Sequence, residues 1–143
     1  MKTTLNTTGL EAALSGIENI ENLADNLVAD VIEEWAFTTH MYAVDGVSGG
    51  PATGRTYQKY QPSRVHKASA PGEYPMTDTG RLVASIKIEQ EGPLVAYVGT
   101  AVDYGAHLEF GTSQMAARPW LMPSFEKATV DMRRVVEEMA SKL

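Results

Sequence analysis

The chain's 143 residues, 43% of them hydrophobic, suffice for one compact domain and not for two, and the absence of cysteine excludes disulfides, thiolate metal sites and a thiol nucleophile. A net charge of −6 argues against nucleic acid as the main partner, because phosphate binding relies on Lys and Arg displacing condensed counterions. No stretch nears the roughly 18 consecutive apolar residues that cross a bilayer, and the Met1-Lys2-Thr3-Thr4 start lacks a secretory apolar run, so the expectation is a soluble intracellular product with no membrane partner.

Apolar residues recur every three to four positions at Leu10, Leu14, Ile17, Ile20, Leu23, Ala24, Leu27, Val28, Val31, Ile32 and Trp35. That is one face of an amphipathic helix, expected over residues 9–41. Thr7 or Thr8 can cap its start, with Glu11 three residues after Thr8 as in a capping box. At about 1.5 Å per residue the periodic stretch spans nearly 40 Å. A small domain cannot cover so long a helix in full, so its far end either meets another subunit or lies along the edge of its own sheet. Residues 9–34 carry seven acids (Glu11, Glu18, Glu21, Asp25, Asp30, Glu33 and Glu34) and no Lys or Arg.

Residues 43–78 hold most of the turn formers: Asp45-Gly46, Gly49-Gly50-Pro51, Gly54, Pro62, Pro71-Gly72 and Pro75. They predict a long projecting loop, functional or disordered. Within it Arg55–Gln61 has the composition of a short strand, in which Tyr57 and Tyr60 point to opposite faces. Residues 54–81 set five cations (Arg55, Lys59, Arg64, Lys67, Arg81) against Glu73 and Asp78, a net +3. An acidic helix and a basic loop on one subunit either attract each other between copies or are both simply solvated.

Arg81–Ser85 predicts a helical turn running into a strand over Ser85–Glu91, where Ile86 and Ile88 alternate with Lys87 and Glu89. Gly92-Pro93 then turns the chain into a second strand, Leu94–Thr100, and the two form an antiparallel hairpin. Tyr104–Phe110 predicts a short helix stopped by Gly111. Arg118-Pro119 sets an extended approach to a final amphipathic helix, with Trp120, Leu121, Phe125, Ala128, Met132, Val135, Val136, Met139 and Leu143 at helical spacing. The fold class is therefore α+β: a small antiparallel sheet packed against a long N-terminal helix and a C-terminal helix, as one domain over residues 1–143.

No catalytic constellation emerges. His107 and Glu109, two apart on a helix, project to different sides and do not converge on a metal. His66 has no carboxylate nearby in sequence, and His40 closes the first helix beside Met41. There is no G-x-S-x-G turn, and the glycines of 46–54 lack the Gly-Lys-Ser/Thr ending of a phosphate-binding loop. The methionines Met115, Met122, Met132 and Met139 read as core filling. The chain is expected to be neither an enzyme nor a holder of a cofactor or metal. A second class of function remains: a small nucleic-acid-binding module in the basic loop over 54–81, in which Tyr57 and Tyr60, interleaved among Arg55, Lys59 and Arg64, stack on and track a strand.

Three ordered pieces carry a resemblance. Tyr104-Gly105-Ala106-His107-Leu108-Glu109-Phe110-Gly111-Thr112 precedes Met115-Ala116-Ala117-Arg118-Pro119-Trp120-Leu121-Met122-Pro123. Upstream lie Gly54-Arg55-Thr56-Tyr57 with His66–Pro75, and Asp78-Thr79-Gly80-Arg81-Leu82 leading to Ser85-Ile86. Together they resemble the siphophage tail-component family of the tail-completion or neck type, with Gly105 standing where alanine is usual. The match covers residues from Gly54 onward; the N-terminal helix carries no motif.

The resemblance implies a structural protein of the virion, present in host cytoplasm during assembly. It implies a homo-oligomeric ring that bridges the head–tail connector and the tail tube or tail terminator, with DNA passing nearby without specific binding. No catalytic residue is implied. The candidate interaction residues are Arg55, Tyr57, Tyr60, Arg64 and Lys67 in the loop and Glu109, Phe110, Arg118 and Trp120 in the motif. Arg118 is expected to pair with Glu109 within the subunit or across a ring contact, and Phe110 and Trp120 either form a buried corner or face a partner.

Overall fold

The computed structural model describes residues 8–142. The capping expected of the Thr7 or Thr8 side chain, and the last periodic position, Leu143, lie outside what is described. Helix α1 runs Thr8–Gly49, past the expected end at position 41, and its 42 residues extend about 63 Å. The apolar spacing continues through its second half, where Ala36, Thr39, Ala43 and Val47 are buried at intervals of three and four. Asp45-Gly46 is thus no turn. Gly46 sits inside the helix because the Tyr74 ring packs against it: a Cβ there would lie 2.2 Å from Tyr74 Cδ1 and Cε1.

The expected loop over 43–78 is corrected to three parts: the end of α1, a β-hairpin, and a strap that folds back onto the body. The hairpin pairs β1 (Thr56–Tyr60) with β2 (Ser63–Lys67), antiparallel, through a turn containing the cis Gln61-Pro62 bond. Its base is closed by Gly54 N–H to Ala68 O and Ala68 N–H to Arg55 O, each 2.9 Å. The strap then buries Ser69 and Pro75, ties Thr77 N–H to Val47 O at 3.1 Å, and lays Tyr74 between α1 and the last helix, its Oη 3.1 Å from Ser124 Oγ. Turn-forming residues here mark element ends and close contacts as well as loops.

Helix α2 (Arg81–Ser85) leads into β3 (Ile86–Gln90), which pairs antiparallel with β4 (Ala96–Thr100). Of the alternating Ile86 and Ile88, Ile86 is buried and Ile88 is left exposed, so the strand is covered only at its start. Helix α3 (Asp103–Phe110) and helix α4 (Leu121–Ala140) complete the chain. Phe125 stacks on Trp35 with ring centroids 5.4 Å apart, and Tyr42 Oη donates to Asp131 Oδ2, so α4 packs against the later part of α1. Ala43, Val47, Leu82, Ile86 and Trp120 make the core. The α+β architecture stands as expected, with two small antiparallel sheets instead of one.

Candidate interaction surfaces

Tyr104–Pro123 is a rigid corner. Gly111 adopts φ +75°, a conformation L side chains rarely take, and so ends α3 sharply. Two residues before that break, Glu109 turns its carboxylate onto the start of α4: Oε2 accepts the N–H groups of Trp120 (2.7 Å) and Leu121 (2.8 Å), and Oε1 that of Met122 (2.9 Å). Those are orphan donors at a helix N-terminus, where a negative charge is also favoured by the helix dipole. The expected Glu109–Arg118 pair within the subunit does not form. The Arg118 side chain instead donates to the carbonyls of Ser69 (3.2 Å) and Ala116 (3.4 Å), locking the strap to the corner. Because Glu109 is engaged with α4 and His107 is exposed, those two do not converge either.

The aromatic pair of the corner divides. Trp120 is 2% exposed and its Nε1–H donates to Gly105 O at 3.0 Å, whereas Phe110 is 82% exposed. A buried Phe110 is therefore corrected. The glycine at 105, where the family-like pattern has alanine, has a local cause: a Cβ would lie 2.5 Å from Thr100 Cγ2. Phe110 stands beside an apolar groove of about 380 Å³ between Trp35 of α1, Tyr97 and Val98 of β4, and Met122 and Phe125 of α4. Of the methionines expected in the core, Met132 is buried and Met122 lies open in this groove.

On the hairpin, strand alternation and the register put Tyr57, Lys59, Arg64 and His66 on one face and Thr56, Gln58, Tyr60, Ser63, Val65 and Lys67 on the other. The first face turns toward the strap. There Lys59 Nζ and the Arg64 guanidinium both reach the Asp78 carboxylate, and His66 Nδ1 lies 3.8 Å from Asp78 Oδ1. The carboxylate that His66 lacks in sequence is supplied by the fold. Burial, then the charges of Lys59 and Arg64, push the His66 ring below the usual imidazole range, so at neutral pH it is the uncharged member of this group. The second face is exposed throughout, Tyr60 at 80% and Val65 at 66%. Arg55 and Lys67, at the hairpin base, make no ion pair among the described residues.

The largest open surface is the first half of α1. Every residue from Gly9 to Asn26 is exposed, including Leu10, Leu14, Ile17, Ile20 and Leu23. His40, expected to close this helix, lies well inside it, with Nε2 3.2 Å from the Ile86 carbonyl. Among the described residues no three His, Asp or Glu side chains gather as a metal site requires, and no helix is long and apolar enough to cross a membrane.

No family model, curated protein or solved structure matches this chain. Two features escaped the sequence: Asp78 as the centre of the hairpin cations, and Glu109 as the cap of a helix that starts twelve residues later at Leu121. Both join residues through folding, and only the acidic residue ahead of Arg118-Pro119 hinted at the second.

Proposed function

We propose that the chain is a structural subunit of a tailed-phage particle, at the tail or the head–tail junction, that works by assembling into a ring with its own copies and with neighbouring neck or tail proteins. The observation that carries this reading is the bare first half of α1. A row of Leu and Ile each left more than half exposed is the mark of a surface that another chain covers. The motif resemblance supplies the setting: connector on one side, tail tube or terminator on the other, DNA passing nearby. The rigid corner fits a part that orients α4 and presents Phe110. The nucleic-acid reading loses ground to this one, since Lys59 and Arg64 turn inward to share the Asp78 carboxylate and Tyr57 and Tyr60 sit on opposite hairpin faces.

Electron microscopy of particles made without this protein, with mass spectrometry of intact ones, tests the proposal. Separate filled heads and finished tails would place the protein at the joint, and missing tails would place it in tail assembly. Normal particles, together with absence of the protein from the intact virion, would overturn the reading.

A further inference from the structure

We infer that the exposed first half of α1 docks on the outer face of the β1–β2 hairpin of a second copy of this chain. The inference rests on the ring-subunit reading above and names the contact that would build the ring.

The two surfaces match in chemistry. Along α1, Leu10, Leu14, Ile17, Ile20 and Leu23 form an apolar stripe bordered by Glu11, Glu18, Glu21 and Asp25 at intervals of seven, three and four, so the acids line its edge. None of the seven acids of residues 9–34 has an ion-pair partner among the described residues. The hairpin's outer face offers Tyr60 and Val65 as apolar contacts, with Gln58 and Lys67 beside them. Of the four cations of residues 54–67, Lys59 and Arg64 turn inward onto Asp78, which leaves Lys67 on the outer face and Arg55 at the hairpin base as the two with no ion-pair partner among the described residues, and the segment holds no acid. A two-stranded hairpin is at best marginal alone, so a helix laid across it would also hold it in shape.

The molecule's own hairpin cannot serve. It springs from the C-terminal end of α1, about 45 Å along the helix from the middle of the stripe, whereas strands of five residues reach only about 17 Å. Nor is a pair of α1 helices favoured, because it would bring two unneutralised sets of seven acids side by side. The contact therefore joins different patches at opposite ends of the subunit. Such a head-to-tail contact repeats from copy to copy and closes into a ring when the rotation allows.

Sedimentation of the full chain at low and high salt, with paired charge reversals, tests this. Wild type is expected to self-associate, more weakly as salt rises. A variant with Glu18→Lys, Glu21→Lys and Asp25→Lys, and a second with Arg55→Glu and Lys67→Glu, should each lose self-association by roughly tenfold or more while keeping the helical circular-dichroism signal. Mixed one to one, the two should assemble beyond the dimer, through the unaltered pair of surfaces and the doubly reversed pair in alternation, and a chain carrying both sets should regain assembly as well. A wild-type oligomer indifferent to both reversals would overturn this contact and leave the ring-subunit reading standing. A wild type that stays monomeric at every concentration in low salt would overturn the contact too, and whether the protein resides in the virion would then decide the wider reading separately.

Discussion

The two halves of α1 share one helix and one periodicity, yet they live in different surroundings. From Ala36 onward the buried positions are small or β-branched: Ala36, Thr39, Ala43 and Val47, with Gly46 open to the Tyr74 ring. These let α4, the strap and the sheet approach the helix closely. From Gly9 to Asn26 the stripe is made of Leu and Ile, and among the described residues nothing covers it. Ile20, in its middle, is 68% exposed. Periodicity reports that a helix has an apolar face; it does not report what covers it. Small residues favour close packing within the subunit, whereas bulky ones left bare suit contact with another chain.

That contrast can be broken from the packed side first. Trp120→Ala removes the largest fully buried side chain, which packs with Ala43 and Val47, and should cost about 3–5 kcal/mol in denaturant unfolding. Glu109→Ala leaves the N–H groups of Trp120, Leu121 and Met122 without their acceptor and should cost about 1–3 kcal/mol, read the same way. Gly46→Ala sets two effects against each other: a helix-propensity gain of about 1 kcal/mol and a clash with Tyr74 costing about 1–3 kcal/mol. The clash should win, lowering stability and loosening the Tyr74–Ser124 hydrogen bond; a gain in stability would mean that the ring yields freely.

The bare half should behave in the opposite way. Ile17→Ser with Ile20→Ser should leave unfolding of the isolated subunit within about 0.5 kcal/mol of wild type, since neither residue is buried. The same pair should abolish self-association. The smallest effect concerns the strap. Hydrogen bonds from the Thr53 hydroxyl, then from the Ala70 N–H at 2.8 Å, hold the Glu73 carboxyl below its ordinary range. Its folded pKa is depressed, so its contribution to stability is full above the unfolded value and is lost as pH falls through the folded one. Glu73→Gln should flatten that acid limb of a stability–pH profile and leave the neutral region little changed.

Much of the fold was legible in the sequence because each element carries its own period. α1, the β3–β4 hairpin, α3 and α4 follow from apolar spacing and breakers such as Gly111, and β1 from its composition. The misreadings share one physical origin. Gly46 resembles a turn former until Tyr74, far away in sequence, explains it as a close approach. Residues 63–67 resemble loop because their cations make a strand pattern look like a solvated run, and only Asp78 shows why Arg64 and His66 turn inward. Arg118 and Glu109 are complementary in sequence, yet in the fold each bonds to backbone groups. In the candidate surfaces Tyr60, Lys67 and Phe110 remain open, while Trp120 belongs to the core and Arg64 to the hairpin's inner face.

Cross-linking measures the central claim most directly, and the absence of native cysteine makes it free of background. A chain carrying Ile17→Cys and Val65→Cys, oxidised under assembly conditions, should give a ladder of covalent multimers extending beyond the dimer, with each single-cysteine chain giving far less. Multimers confined to dimers through Ile17→Cys alone would mean that α1 pairs with α1, and no cross-link in an assembled sample would mean that the stripe and the hairpin do not meet.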